Sequence, residues 1–148
     1  MIENDWIEYI GINVPSSKNS KRICNKKLIN SPLVRKYKES MGYVFNANRK
    51  LWNKQIKADN NNPLFVGFYF YRDSRRHWDF VNIVQIIADM MQDSGYISDD
   101  DTKHFIPIYL GEELTDKNNA GFKMKVLDEN LFLDIMYQYG YKEQKSEG

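Results

Sequence analysis

The segment from Arg75 to Asp101 most constrains the fold, because it joins a helical apolar pattern to a run of acids. Apolar residues recur there at the spacing of one helix face. They are Phe80, Ile83, Val84, Ile87, Ala88 and Met91. Asp79 stands at the predicted start, where an acid can cap free backbone N–H groups. Gly95 follows the last periodic residue and suits the left-handed position that ends many helices. The segment therefore predicts one helix between Asp79 and Gly95.

The same segment carries six carboxylates, and no lysine or arginine lies between His77 and Thr102. The carboxylates belong to Asp79, Asp89, Asp93, Asp99, Asp100 and Asp101. If the turn after Gly95 folds back along the helix, the later acids approach the first one. Clustered carboxylate oxygens are the ligands that Mg²⁺ or Mn²⁺ prefers in proteins. The pattern therefore indicates a candidate site for a divalent metal.

The order of these residues resembles the RusA-type Holliday junction resolvases, a family of crossover junction endodeoxyribonucleases. The family motif reads Asp-x-Asp-Asn-x-x-Lys, followed by an Asp, a Gly and Asp-Asp. The residues that match it without a gap are Asp79, Asn82, Asp89, Gly95, Asp99 and Asp100. Two positions depart from the motif. Val81 replaces a usual metal ligand, and Gln85 replaces a lysine expected near the scissile phosphate.

The resemblance implies a structure-selective endonuclease that cuts branched DNA, such as Holliday junctions, by metal-assisted phosphodiester hydrolysis. The implied ligands of Mg²⁺ (or Mn²⁺) are Asp79, Asp99 and Asp100. Asp89 or Asp101 is a possible substitute for the acid missing at Val81. The implied catalytic residues are Asp79, Asn82 and Asp100, with the carboxamide orienting a ligand or the attacking water. The resemblance also implies a phage or prophage origin and a homodimer, because two symmetric strands are cut.

Positive charge is concentrated in one part of the chain, although the net charge is only +1. Twelve basic residues and a single acid, Glu39, lie between Lys18 and Lys57. Such a surface attracts phosphates while an acidic pocket holds the metal ion. A solvated basic helix in an ordinary globular protein explains the same charges equally well. The residues predicted to contact DNA are Lys18, Lys21, Arg22, Arg75 and Arg76.

Two polar loops have the composition of phosphate-binding segments. The loop from Pro15 to Arg22 is basic and rich in small donors, and it resembles a Pro-Ser-x-Asn-rich loop of the same family. A plain surface loop is the competing interpretation. The loop from Arg72 to Arg76 carries three arginines directly before Asp79, so it can hold a phosphate beside the acids. His77 and His104 are interpreted as structural or surface histidines.

The length and the remaining pattern predict a single domain over residues 1–138, which the resemblance implies is RusA-like, and a disordered tail over 139–148. Its fold class is α/β or α+β, with a mixed sheet and two main helices. Strands are predicted at 6–14, 64–71, 105–110 and 122–126, a strand or hairpin at 23–29, a helix from 32 to about 57, and a loop at 111–121. Residues 129–138 fit either a short helix or a strand. Trp52 and Phe45 are predicted to lie in the core.

The only cysteine, Cys24, excludes an internal disulfide and fits a reducing compartment. No apolar run approaches the roughly 20 residues of a membrane span, and the N-terminus lacks a signal-peptide core. A cytoplasmic protein without a membrane partner is therefore expected. Two other functions stay open: a DNA-junction binding module that has lost catalysis, and an unrelated protein whose acids form a solvated cap.

Overall fold

The computed structural model describes residues 5–16, 21–24, 27–30, 32–56, 63–100, 102, 104–128, 130, 134 and 137–140, with the backbone path alone for 21–24 and 27–30. Its elements are strands β1 (Ile7–Ile10), β2 (Lys21–Cys24) and β3 (Lys27–Asn30), helices α1 (Pro32–Ala47) and α2 (Arg49–Gln55), strand β4 (Leu64–Arg72), helix α3 (Phe80–Asp93), and strands β5 (Phe105–Leu114) and β6 (Gly121–Val126). A single 3₁₀ turn, Lys117–Asn119, precedes β6. The molecule is an α+β protein, as the sequence predicts.

The main sheet has four strands in the order β1-β6-β4-β5. Strand β4 pairs in parallel with β5 and antiparallel with β6, which pairs antiparallel with β1. Parallel neighbours need a crossover connection, and α3 lies in the segment that connects β4 to β5. The sheet is therefore mixed, with the aromatic β4 in a central position as predicted. In the described part of the sheet, β5 lies at an edge, which suits Pro107.

Strands β2 and β3 form a separate two-stranded sheet, with Lys21 opposite Asn30 and Cys24 opposite Lys27. This pairing confirms the hairpin interpretation of 23–29 and extends it to 21–30, so Lys21 and Arg22 belong to β2 and not to the predicted loop. The residues that join the two strands lie outside the described residues, as do most of the ambiguous segment 129–138 and residues 141–148 of the predicted tail.

The helix predicted from 32 to about 57 is two helices, so three named helices lie in the described part of the chain where two main helices were predicted. Asn48 separates α1 from α2, with φ −89° and ψ 1°. Its side-chain Nδ2 donates to the carbonyl oxygen of Glu8 at 3.3 Å, and its own carbonyl accepts from Trp52 N at 3.0 Å. Asn48 thus binds the first strand and begins a new helix. A polar residue on the solvent side of a helical pattern gives no local sign of such a long-range bond.

Two strand lengths also differ from the prediction. The strand predicted over 6–14 spans only Ile7–Ile10, because its pairing with β6 ends where Ile10 faces Gly121. A Cβ at Gly121 would overlap the carbonyl oxygen of Tyr9, so only glycine permits this close approach. The loop predicted at 111–121 begins later than expected, since β5 continues past a register irregularity and pairs with β4 as far as Leu114.

The three helices contribute side chains to a core built on the face of β4 that carries Val66, Phe68 and Phe70. Aromatic rings occupy its centre, and the rings of Tyr9 and Phe122 stack with their centres 4.8 Å apart. Trp52 and Phe45 are fully buried, which confirms the prediction that they belong to the core. The core fixes α3 against β4, and the ends of these two elements position the candidate site.

The end of α3 has the hydrogen bonds of a Schellman motif. Gly95 adopts φ +76°, its N–H bonds to the carbonyl of Gln92 at 3.0 Å, and the N–H of Tyr96 bonds to the carbonyl of Met91 at 2.7 Å. Tyr96 is then buried, and its hydroxyl bonds to the carbonyl of Phe45. The predicted helix stop at Gly95 is confirmed, and the buried tyrosine sets the direction in which the chain leaves the helix.

Candidate functional site

A surface pocket of about 580 Å³ opens where the segment after β1 meets the loop between β4 and α3. The residues that line it are Asn13, Val14, Pro15, Ser16, Arg72, Asp73, Ser74, Arg76, His77, Trp78, Asp79 and Ile83. The pocket therefore unites three features that were separate in the sequence: the start of the Pro-Ser loop, the arginine loop and the first acid. Ser17 and Asn19 of the Pro-Ser loop lie outside the described residues.

The position of the pocket in the fold suits an anion. It lies beyond the carboxyl end of β4, the side of an α/β sheet at which ligands commonly bind. It also lies at the start of α3, where backbone N–H groups and the helix dipole favour negative charge. Asp79 occupies the N-cap position of α3, but its side chain accepts no hydrogen bond from the helix backbone. The helix start is thus not capped by its own carboxylate.

The Asp79 carboxylate contacts two neighbouring side chains. The Asn82 amide donates to its Oδ2 at 3.3 Å, and His77 Nε2 lies 3.4 Å from its Oδ1. About half of the Asp79 side chain remains exposed. The prediction that Asp79 begins the helix is confirmed, whereas its side chain does not cap the helix. The contact with Asn82 places the two predicted catalytic residues together, and their catalytic role stays a prediction.

The three arginines of the loop differ in their environment. Arg76 is exposed and lines the pocket, and Arg75 is exposed but does not line it. Arg72 is buried, with its guanidinium carbon 4.7 Å from the centre of the Trp78 ring. Its Nη1 donates to the carbonyl oxygen of Arg76 at 3.2 Å. Arg76 is therefore the exposed arginine of the pocket, while Arg72, which also lines it, is held against Trp78 and the loop backbone.

The later acids lie beside the second half of α3. The Gln92 amide donates to Asp99 Oδ1 at 3.5 Å, and the backbone N–H of Asp100 donates to the same oxygen at 2.7 Å. Desolvation raises the pKa of the Asp100 carboxyl, and the neighbouring Asp99 and the charge of Asp89 raise it further. Asp89 also lies 3.8 Å from the ammonium of Lys38. Asp99 and Asp100 are thus in contact beside α3, and the charge of Asp89 acts on the Asp100 carboxyl.

Asp79 does not join this second group. Ten helical residues rise about 15 Å, which separates Asp79 from Asp89 along α3. Among the described residues, no hydrogen bond or ion pair links Asp79 to Asp99 or Asp100, and no group of three or more His, Cys, Asp or Glu side chains is arranged to hold a metal ion. Asp101 lies outside the described residues. The three-carboxylate ligand set therefore stays a prediction.

The predicted DNA contacts are only partly visible. Lys18 lies outside the described residues, and the side chains of Lys21 and Arg22 are not described. Exposed basic residues do follow the outer side of α1 and α2; they are Arg35, Lys36, Arg49, Lys50 and Lys54. His77 and His104 are exposed, which fits the interpretation of surface histidines. Val81 is 74% exposed, and Gln85 is exposed as well.

Sequence reasoning missed the roles of Arg72 and Trp78. A pattern of side chains along a loop does not tell which arginine turns toward the protein. The one available signal was an arginine six residues before a tryptophan, a pair able to stack if the loop returns on itself.

Comparison with models of known protein families finds no match for the chain, and comparison with curated proteins finds none either. Within the described ranges, every helix is too short or too polar to cross a membrane. The function proposed below is therefore supported by the pocket, by the charges around it and by the motif resemblance of the segment 79–100.

Proposed function

We propose that the chain is a structure-selective DNA endonuclease resembling the RusA-type resolvases, acting as a homodimer on branched DNA with Mg²⁺ or Mn²⁺. One observation carries the proposal: Ser16, Arg76 and Asp79 line the same pocket. A phosphodiester to be cleaved needs donors for its free oxygens and an acid beside the bond that breaks. This pocket offers both kinds of group.

Each side chain at the pocket has a role in the proposal. Arg76 binds phosphate oxygens, as guanidinium groups do with planar, charge-assisted hydrogen bonds. The start of α3 adds its positive dipole end. Asp79 lies at the edge of the phosphate position, and Asn82 holds the carboxylate in one orientation through the 3.3 Å hydrogen bond.

The exposed cations of α1 and α2 extend the contact beyond the pocket. Their side chains carry positive charge into solvent, where it steers a polyanion and neutralises its phosphates. Binding of this kind is independent of base sequence. It accounts for attraction to DNA, while selection of a branched form is the part of the proposal that comes from the family resemblance.

A divalent metal, when bound, polarises the phosphate and lowers the pKa of a water molecule. The carboxylates of Asp79, Asp99 and Asp100 have the oxygen chemistry that Mg²⁺ prefers. In the described arrangement they stand in two places and do not form one coordination shell. No step of the cleavage is therefore assigned to the ion.

A second candidate is a catalytically impaired DNA-junction binding protein of the same fold. Two observations favour it: Asp79 stands apart from the Asp99–Asp100 pair, and Val81 presents an exposed apolar side chain where the resembled family has an acid. The pocket and the basic flank serve this function equally well. The two candidates differ in chemistry and share the DNA partner.

The test uses a synthetic four-way junction and a duplex of the same arm sequence. We expect the protein to bind the junction more tightly than the duplex. The slope of log K against log salt should be about −0.9 for each neutralised phosphate. Nicking of the junction should require Mg²⁺ or Mn²⁺. Arg76→Ala should weaken binding more than Arg75→Ala, its neighbour outside the pocket. Binding without nicking would select the impaired protein. Affinity that is negligible or insensitive to salt would exclude both DNA functions.

A further inference from the structure

The pocket loop is supported by a buried cation. Arg72, at the last position of β4, is 8% exposed, stacks on Trp78 and bonds to the backbone of Arg76. Burial lowers the pKa of the Arg72 guanidinium, and the negative charge of Glu112 is the strongest influence that opposes this shift. A buried charge persists only with compensating partners. The acid whose charge acts most strongly on Arg72 comes from another strand.

That acid, Glu112, lies on the edge strand β5. Both of its carboxylate oxygens accept from the indole Nε1–H of Trp78, at 3.1 and 3.2 Å, and one also accepts from the hydroxyl of Tyr109 at 2.7 Å. Burial raises the pKa of the Tyr109 hydroxyl to about 12, and the bond to Glu112 adds to the shift. The tyrosine thus remains a neutral donor that holds the carboxylate toward the indole.

We propose that Glu112 is a positioning residue for the pocket, acting through Trp78 and Arg72 on the backbone that carries Arg76. The chain of contacts runs from β5 to the indole, from the indole to the guanidinium, and from the guanidinium to the Arg76 carbonyl. Side chains that bind a ligand need such support, because a site on a loop loses precision when its neighbours are not fixed. The inference rests on the proposed function for its consequence and on these contacts for its geometry.

Glu113 provides a matched control. It is the adjacent acid on the same strand, and its carboxylate accepts from the hydroxyl of Tyr69 at 3.2 Å, away from the pocket lining. Successive strand residues point to opposite faces of a sheet. A variant at Glu113 therefore removes the same charge from the same strand without touching the stack.

The first measurement does not depend on DNA. In ¹⁵N–¹H spectra of the full chain, the Trp78 indole signal is identified by its loss in Trp78→Phe. Glu112→Ala should shift this signal and the backbone amides of residues 73–79, whereas Glu113→Ala should leave them in place. If the backbone amide signals of residues 73–79 do not shift in Glu112→Ala, the positioning role of Glu112 is wrong.

The second measurement is junction affinity. Glu112→Ala should weaken binding about tenfold, the loss of one charge-assisted contact. Glu112→Gln keeps an acceptor for the indole but removes the charge near Arg72, and it should lose less affinity than Glu112→Ala. The double variant Glu112→Ala with Trp78→Phe should have the same junction affinity as whichever of the two single variants binds the junction more weakly. Additive losses would show that Glu112 does not act through Trp78. Absence of DNA binding by the unaltered protein would sink the proposed function alone, and the spectra would still decide the positioning role.

Discussion

At the start of α3, Asp79 lies in a pocket lined by Arg76, whereas beside the second half of the same helix the neighbours of Asp100 are Asp89 and Asp99. The pocket around Asp79 mixes arginines with a second acid, Asp73, whereas the nearby charges that act on the Asp100 carboxyl are those of other carboxylates. A nearby carboxylate favours the protonated form of an acid. The two ends are therefore suited to different partners: a phosphate beside Arg76 at the start, and a proton or cation beside Asp100 at the end.

The largest effect should come from the start of the helix. Asp79→Asn should lower nicking of a four-way junction by roughly 100-fold or more, the range of one catalytic side chain. Junction affinity should stay unchanged or rise, because a negative charge near the DNA backbone is removed. Gel-shift and nicking assays on one preparation measure both. Asp93→Asn, at an exposed acid on the last turn of α3, is the control, and equal nicking by the two variants would remove Asp79 from the mechanism.

Substitution at the C-terminal end of α3 should change the free energy of unfolding more than substitution at its start. Gly95→Ala should lower the free energy of unfolding by about 1–2 kcal/mol, since φ +76° is strained for any residue with a Cβ. Gly42→Ala, in the middle of α1 with open space around it, should raise the same quantity by roughly 0.5–1 kcal/mol. Urea denaturation of the three proteins gives both values. If both Gly95→Ala and Gly42→Ala lower the free energy of unfolding, the left-handed conformation of Gly95 does not explain the loss of stability in Gly95→Ala.

The acids at the end of α3 should give a small dependence of stability on pH. The pKa of Asp100 is raised in the folded protein, so the folded state binds its proton more tightly than the unfolded state does. The contribution of Asp100 to stability is therefore highest below its ordinary pKa and falls as the pH rises through the raised value.

Asp100→Asn should remove the decrease in stability that occurs as the pH rises through the raised pKa of Asp100. The variant should match the unaltered protein in acid and be slightly more stable at neutral pH, as measured by denaturation across a pH series. If the acids bind a cation, added Mg²⁺ should reduce the difference in the free energy of unfolding between Asp100→Asn and the unaltered protein at neutral pH. A variant that is less stable at neutral pH would show that the Asp100 carboxylate makes a favourable contact in the folded state.

The smallest effect on stability should follow Val81→Asp, which adds an acid to the start of the helix. Because Val81 is 74% exposed, the new carboxylate stays in water, and the free energy of unfolding should change by less than about 0.5 kcal/mol. Another hard oxygen ligand two residues after Asp79 should raise the affinity for Mn²⁺ or Mg²⁺. Metal titration followed by nicking checks this, with Gln85→Glu, an exposed site one turn further on, as the control. Unchanged metal affinity would place the metal away from this end.

Local chemistry explains which parts of the fold could be predicted. The apolar spacing of α3 and the helix stop at Gly95 depend on residues close in sequence, and both are confirmed. The β2–β3 hairpin and the central β4 follow from equally local patterns. The pocket was anticipated only as separate loops, because their meeting depends on the path of the chain between β1 and β4.

Long-range contacts explain the features that the sequence did not reveal. The break at Asn48 depends on a bond to Glu8, and the burial of Arg72 depends on a tryptophan held from β5. The acids of the segment 79–100 are close in sequence, but a helix separates the first from the last pair. Because the 14-residue helix α3 lies between Asp79 and the Asp99–Asp100 pair, these acids are close in sequence but not in space.

The pairing of β1 with β6 has a consequence for how the chain is made. Ile7 lies opposite Met124, so during synthesis β1 waits for a partner that is translated more than a hundred residues later. During that interval the apolar side of β1, including Ile7 and Tyr9, lacks its place in the sheet. Contacts of such long sequence separation slow folding, and unpaired apolar strands are the sites at which nascent chains associate. The rate of translation and the supply of chaperones therefore bear on how much of this protein reaches its native sheet.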